Sequence, residues 1–392
     1  MKWEKVKLGE LYEVHNGLSK AGKFFGEGYP FLTFSTVFNN YFIPKQITDL
    51  VQSTEKEQES YSIRRGDVFV TRTSETSDEL GMSCVALKDY PMATYNGFTK
   101  RMRPITNRVL PEYIGYYMRL PNFRGEFRAF STMTTRASLR NEDLLGLEVK
   151  LPSIEIQKQI ADILSAYDDL IENNQKQIKL LEEATQRLYK EWFVDLRFPG
   201  HENTKIVDGV PEGWKKERLV DIAEIQYGYA FDGTLFNADK NGTPIIRIRN
   251  IPQAETMDYT TEHVNENYLV QNGEIIVGMD GEFHINAWAG NTAYLVQRVC
   301  CIRPKNTEIK GWLLQAIYEP IKFFERTVVG ATVAHLGKKH LDSIYLLTSP
   351  EEFYEPFKTF FDKRLLLMNQ NRKLREARDR LLPKLMSGEV EV

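Results

Sequence analysis

The sequence predicts an α+β protein in which one plan is written twice. Two similar β-rich domains are each followed by a long helix, and the helices pair as an antiparallel coiled coil about a pseudo-twofold axis. Three observations predict this. First, WEKVKLGELYEVHNG at 3–17 is answered by WKKERLVDIAEIQYG at 214–228, and YSIRRGDVFVTRTSE at 61–75 by YLVQNGEIIVGMDGE at 268–282. Trp3 matches Trp214, Gly17 matches Gly228, Gly66 matches Gly273, and Asp67 matches Glu274. Such self-similarity marks an internal repeat. Second, each copy holds short runs of β-branched and aromatic residues bounded by Gly, Pro or Asn. Third, each copy closes on a long helical pattern, at 154–193 and 351–386.

The domains follow in order. Residues 1–152 form the first domain, 153–196 a central spacer helix and 197–209 a polar, turn-rich linker. Residues 210–349 form the second domain and 350–392 a C-terminal spacer helix and tail. GYPFLTFSTVF, GDVFVTRT, TPIIRIRNI and GEIIVGM read as strands. LPEYIGYYMRL and IKGWLLQAIYE have apolar residues at helical spacing. Ser153 is a good N-cap for the central helix. Ser349, Pro350 and Glu352 read as a capping box with proline at the first helical position.

A helix of this length spans roughly 55 Å, more than one small domain needs. Ile160, Ile163, Tyr167, Leu170, Asn174, Gln177, Leu181, Ala184 and Leu188 alternate by three and four. So do Phe360, Arg364, Leu367, Asn371, Leu374, Arg378, Leu381 and Leu385. Such a seam wants a partner helix. Under a twofold, Asn174 and Asn371 meet near the helix midpoints, where one polar residue sets register at a cost in stability. Pro356 and Pro383 are expected to bend the second helix.

Composition excludes several classes. Of 392 residues, 42% are hydrophobic and 27% charged, as in a globular protein. No run approaches the length of a membrane span, and MKWEKVKLGELYEV has no signal-type apolar stretch. The expectation is a cytoplasmic protein. Cys84, Cys300 and Cys301 suit a reducing compartment and make no zinc site. The net charge of −3 gives no basic arm, so any nucleic-acid contact needs charge focused on one face.

No catalytic constellation is recognisable. GATVAHLGKK at 330–339 lacks the spacing and hydroxyl of a phosphate loop. The chain has no Pro-Pro, so the motif with which amino-methylating enzymes hold a flipped base is missing. Glu148/Lys150 and Glu308/Lys310 read as charge alternation along strand edges. The histidines form no metal pattern. No residue is therefore expected to be catalytic or to bind a metal. TRTSETSDE at 71–79 and STMTTRASLR at 131–140 are loops dense in hydroxyls and arginine, suited to phosphate and base-edge contacts.

Three segments resemble the specificity subunit of a type I restriction–modification enzyme. LPSIEIQKQIADILSAYDDLIENNQKQIKLLEEATQRLYKEWFVDLRFPG at 151–200 looks like that family's central conserved region. VPEGWKKERLVDIAE at 210–224 is similar to the start of its second recognition domain, and LLPKLMSGEV at 381–390 to its C-terminal ending. The resemblance implies that each domain is a target recognition domain reading one part of an asymmetric bipartite site in double-stranded DNA. The helices would set the gap and dock two methyltransferase subunits. It implies no catalysis in this chain: S-adenosylmethionine would belong to the methyltransferase subunits, ATP and Mg to the restriction subunits. A coiled-coil protein adaptor without sequence-specific DNA binding is the alternative from another class.

On the DNA-reading view, the candidate contacts in the first domain are Arg72, Thr73, Ser74, Lys100, Arg101, Arg103, Thr135, Arg136 and Arg140. In the second they are Arg247, Arg249, Asn250, His284, Asn286, Lys338 and Lys339. Arginine can bridge guanine O6 and N7, asparagine can bridge adenine N6 and N7, and lysine more often meets phosphate. Arg247 and Arg249 alternate with isoleucines and are expected on one strand face. Trp192, Phe193, Leu196 and Phe198 are expected in the core where the central helix meets a domain.

Overall fold

The computed structural model describes residues 3–74, 80–129, 137–327 and 334–392. The chain forms two compact units, Met1–Asp168 with Glu376–Val392, and Asp169–Arg375. Each contains the same antiparallel four-stranded sheet. In the first unit, β1 (Tyr12–Asn16), β2 (Val68–Thr71), β3 (Ser83–Val85) and β4 (Thr99–Pro104) lie in the order β1-β4-β2-β3. In the second, β5 (Ala223–Tyr227), β6 (Ile275–Gly278), β7 (Ile285–Ala287) and β8 (Val299–Pro304) lie in the order β5-β8-β6-β7. The registers correspond: Asn16 faces Lys100 as Tyr227 faces Cys300. A second sheet, of three strands in the first unit and five in the second, accompanies each, with one parallel pair: Phe31 beside Thr94, and Ile245 beside Tyr294.

The repeated sequence signatures have physical reasons. Gly66 and Gly273 adopt φ of 91° and 84°, which a turn with its third residue left-handed requires. The acid that follows each glycine closes that turn: Asp67 Oδ2 accepts the Arg64 N–H at 2.7 Å, and Glu274 Oε2 the Gln271 N–H at 2.7 Å. At Gly17 and Gly228 a Cβ would lie 2.1 Å from the carbonyl oxygens of Asn96 and Val296. Only glycine permits that approach of two backbones.

Two expected strands are partly helical. TFSTVF becomes a helix, Phe34–Asn39, because the Thr33 hydroxyl caps it by accepting the Thr36 N–H at 3.2 Å. Glu148 and Lys150 do sit on a strand with alternating exposure. Glu308 and Lys310 do not: Asn306 caps a 3-10 turn, Thr307–Ile309, and a helix starts at Lys310.

The long helices are α1 (Ile154–Tyr189) and α2 (Glu355–Ser387). α2 starts later than its sequence suggests. A 3-10 turn, Glu351–Phe353, precedes it, and the Tyr354 hydroxyl rather than a capping box takes the Ser349 N–H at 2.8 Å. Pro356 then falls in the first turn, where its missing N–H leaves no intrahelical bond unmade. Pro383 lies inside the last turns.

Within the second unit the helices run antiparallel. Asn174 meets Asn371, Glu182 meets Arg364, and Tyr189 packs edge-on against Phe357. Within the first unit Asp168 pairs with Arg378, and Ile160 and Leu164 share a core with Leu382 and Leu385. The buried line of α1 differs from the expected seam at alternate positions. Leu164, Ile171 and Thr185 are buried, whereas Leu170 is 46% exposed. Each helix also packs on a domain, and neighbouring apolar residues compete for that second face. The Trp192 region is core: Phe193 and Phe198 stack on Trp214 at 4.9 and 4.6 Å between ring centroids.

Asn174 Nδ2 donates to Asn371 Oδ1 at 2.9 Å, and both side chains are buried. Asn174→Leu or Asn371→Leu alone strands the partner amide and should cost about 1–3 kcal/mol. The double variant should cost less than the sum in a denaturant-melting cycle. A second expectation concerns the thiols. Burial pushes Cys84 and Cys300 up to about 12 and Cys301 higher still. Native protein at pH 8 should be inert to a disulfide thiol reagent, and all three cysteines should react in denaturant.

Candidate nucleic-acid interface

The turn that leads into the last-paired strand is built alike in both units. In the first it is Asn96–Phe98 before β4. The Leu18 N–H reaches the Tyr95 carbonyl at 2.8 Å, the Gly97 N–H reaches Leu18 at 2.8 Å, and the Arg72 N–H reaches Phe98 at 3.0 Å. In the second it is Val296–Arg298 before β8. Tyr229 donates to Leu295 at 2.9 Å, Gln297 donates to Tyr229 at 2.7 Å, and Met279 donates to Arg298 at 2.9 Å. Phe98 and Arg298 are therefore equivalent, as are Arg72 and Met279. Near these turns sit several of the residues singled out from the sequence.

Around the first turn, Arg72 reaches Asn16 Oδ1 from Nη1 at 3.4 Å. Its Nε is buried without a hydrogen-bond partner among the described residues. The backbone of Leu139 donates to Arg72 at 2.9 Å, which brings Arg140 alongside. The Arg140 side chain is exposed and pairs with Asp143 at 2.9 Å. Thr73 and Ser74 form a strand paired with Ala137–Ser138. Thr135 and Arg136 lie outside the described residues.

Lys100, Arg101 and Arg103 are corrected: all three turn inward. Lys100 is buried and donates from Nζ to Asn141 Oδ1. Burial, with Arg72 beside it, lowers its ammonium pKa. Arg101 is buried, lies over the Tyr95 ring and donates to the Ser62 carbonyl at 2.8 Å. Arg103 clamps Asp67 through Nε at 2.8 Å and Nη2 at 2.6 Å, and also holds the Ser62 carbonyl at 2.9 Å. The second unit repeats this clamp. Arg303 Nε meets Glu274 at 2.6 Å, and Nη2 meets the Leu269 carbonyl at 2.8 Å. A buried carboxylate needs such a partner, so these arginines serve the sheet.

Arg247 and Arg249 do not share a strand face. The strand Thr243–Ile246 ends before them, and Ile248–Asn250 is a 3-10 turn whose last side chain reaches back to the Arg247 N–H at 2.8 Å. Arg247 lies over the Phe236 ring, Arg249 pairs with Asp258 at 2.5 Å, and Asn250 also reaches Asp258, at 3.3 Å. Asn286 is buried. It donates to the Ile251 and Pro252 carbonyls at 3.0 and 3.1 Å and accepts from Arg364 on α2 at 2.7 Å. It anchors this domain to its helix. His284 stands 3.5 Å from Glu282 and takes the Gly278 N–H on its backbone carbonyl at 2.8 Å. Lys338 and Lys339 are exposed at the start of a short helix, Lys338–Asp342.

Two groups were not foreseen from the sequence. Phe98 is 57% exposed at its turn. Arg298 adopts φ of 72° and joins Asp280 at 3.2 Å and His335 Nδ1 at 3.3 Å, while His335 meets Asp280 at 2.5 Å. A signal existed: RMRP at 101–104 and CIRP at 301–304 align, and that alignment places Phe98 against Arg298.

A family model described as Type I restriction modification DNA specificity domain matches residues 1–183 and 211–352. The chain is 26% identical, over 100% of its length and 94% of the relative's, to the type I restriction enzyme MjaIX specificity subunit of Methanocaldococcus jannaschii. It is 22% identical, over 99% of both chains, to the HindI specificity subunit of Haemophilus influenzae. Among solved structures, the S subunit of a type I restriction-modification system from M. genitalium superposes with a TM-score of 0.56 at 14% identity. That match covers 98% of this chain and 96% of the other, and indicates a shared fold.

The clamp and an exposed charge near the turn should separate under mutation. Arg103→Ala leaves Asp67, which has no exposed surface, buried and unpaired. It should cost about 3–5 kcal/mol. Arg140→Ala removes an exposed charge and should stay within about 0.5 kcal/mol of the parent in denaturant melts.

Proposed function

Because the chain belongs to the type I restriction modification DNA specificity family, we propose that each of its two domains reads one half of an asymmetric, bipartite site in duplex DNA. It is the DNA-recognition component of a type I restriction–modification complex. One observation carries the asymmetry. The two sheets share their frame (Gly66 and Gly273, the Asp67–Arg103 and Glu274–Arg303 clamps) yet carry different side chains at equivalent places on the presenting turn. Arg72 stands where Met279 stands, and Phe98 where Arg298 stands. One frame with two different reading surfaces suits two different half-sites.

On this reading α1 and α2 dock two methyltransferase subunits, which bind S-adenosylmethionine and methylate adenine. Restriction subunits bring ATP and Mg. This chain contributes recognition and no catalytic group, and it works in the cytoplasm. No described helix is long and apolar enough to cross a membrane. DNA binding should fall steeply with salt, since lysines and arginines release counterions from phosphates.

The test is methylome sequencing of cells that express the chain with its methyltransferase partner. The expected result is a split motif with modified adenine in each half, lost when the chain is deleted. Unchanged methylation in the deleted strain, with the methyltransferase active, would overturn the proposal.

A further inference from the structure

We propose that Phe98 and Arg298, equivalent residues of the two repeats, are specificity-determining contacts. Phe98 reads one base pair of its half-site by apolar contact, and Arg298 reads a guanine of the other. This rests on the DNA-reading function proposed above.

Phe98 is a large aromatic side chain held in water by a rigid turn. Its N–H donates to Asn96 Oδ1 at 2.7 Å and its carbonyl accepts from Arg72 at 3.0 Å. The Thr99 hydroxyl closes on the Asn96 carbonyl at 2.7 Å. The backbone is thus fixed on both sides of a ring that stays 57% exposed. A turn of this kind accepts small polar residues, so the ring is not required by the backbone that holds it. Beside it stands Arg72, a cation suited to phosphate. A cation next to an apolar ring matches a duplex, in which phosphates flank the thymine methyl groups of the major groove.

The second repeat supplies the control. Residues the frame needs recur in kind: glycine at 66 and 273, an acid at 67 and 274, arginine at 103 and 303, proline at 104 and 304. At 98 and 298 the type changes from aromatic to cation. Arg298 sits at φ 72°, a conformation that costs a non-glycine residue energy, and its side chain is about half exposed. Strain retained at an exposed arginine points to use. Asp280 accepts from the Nε edge of that guanidinium at 3.2 Å, and His335 Nδ1 braces the same carboxylate at 2.5 Å. They orient the fork that can bridge guanine O6 and N7. Asp280 and His335 face Arg298 and Tyr229 packs on this turn's backbone, so the arginine charge is already balanced by a carboxylate, and a specific contact is favoured over a general phosphate site.

The experiment uses the assembled methyltransferase complex and a randomised duplex library, with Phe98→Ala, Phe98→Leu, Arg298→Ala and Arg298→Lys. Melting of each variant and its co-purification with the methyltransferase subunits serve as fold controls. Phe98→Ala should lose about tenfold or more discrimination at one position of one half-motif, a position carrying thymine on either strand. Phe98→Leu should retain part of it. Arg298→Ala should relax one guanine in the opposite half, and Arg298→Lys should not restore it, because lysine cannot make the bidentate bridge. An unchanged motif in both alanine variants would overturn the inference, as would a uniform loss of methylation with every position still read. Loss of the split motif from the parent complex itself would instead overturn the DNA-reading function.

Discussion

A carboxylate without water must be paired, and in each domain that need organises the sheet. Asp67 is fully buried, and Arg103 meets it with two donors while holding the Ser62 carbonyl. Removing one partner of such a pair strands a charge at a cost of several kcal/mol, so the pair acts as a constraint more than a source of stability. The constraint propagates. Asp67 also closes the turn through Gly66, and that turn sets the start of β2. Arg103 fixes the register of β4 against β2. The turn before β4 is then held by Arg72, which follows β2. Glu274, Gly273 and Arg303 repeat the turn and the clamp, with Glu274 partly exposed and Met279 in the place of Arg72.

The frame tolerates quite different interiors around this clamp. Arg101, stacked on Tyr95, is replaced at the equivalent place by Cys301, packed in an apolar cluster with Trp288 and Leu295. A guanidinium satisfied by carbonyls and a ring face, and a thiol in an apolar pocket, are two solutions to the same filling problem. The helix contacts differ in the same way. In the first unit Tyr116 donates to Asp168 at 2.6 Å, Asp168 pairs with Arg378, and Tyr41 lies between Arg378 and Arg119 at 5.1 and 5.3 Å. Burial, with the Asp168 charge, keeps the Tyr116 hydroxyl protonated. In the second unit Arg364 joins Glu182 to Asn286, and Arg375 reaches Glu255 at 2.6 Å.

The legible features were those tied to backbone geometry. Gly17, Gly66, Gly228 and Gly273 stood out as matches because only glycine fits a close crossing or a positive φ. The helices were legible from spacing, although period alone did not separate Leu170 from Ile171. Side-chain destination was much less legible. Lys100, Arg101 and Arg103 look like a basic surface in sequence because composition carries no sign of the Asp67, Ser62 and Asn141 partners that turn them inward. The inward turn of Asn286 is hidden for the same reason: its partner Arg364 lies on α2, far away in sequence. Phe98 was passed over because an aromatic before a strand ordinarily signals core.

Frame and presenting turn are adjacent in sequence but answer to different demands. β4 begins one residue after Phe98, and β8 one residue after Arg298. From there on, each strand is bound by its neighbours' registers and by its clamp. The residue before it has its backbone fixed independently of its side chain: its carbonyl is taken by Arg72 or Met279, whatever side chain it carries. A position whose backbone is fixed by main-chain bonds alone can change chemistry without moving the sheet. That is what the change from a phenyl ring to a guanidinium displays, down to the left-handed φ that Arg298 alone of the pair adopts. Duplication followed by change at such positions yields two readers of different preference on one scaffold, which is the property an asymmetric site demands.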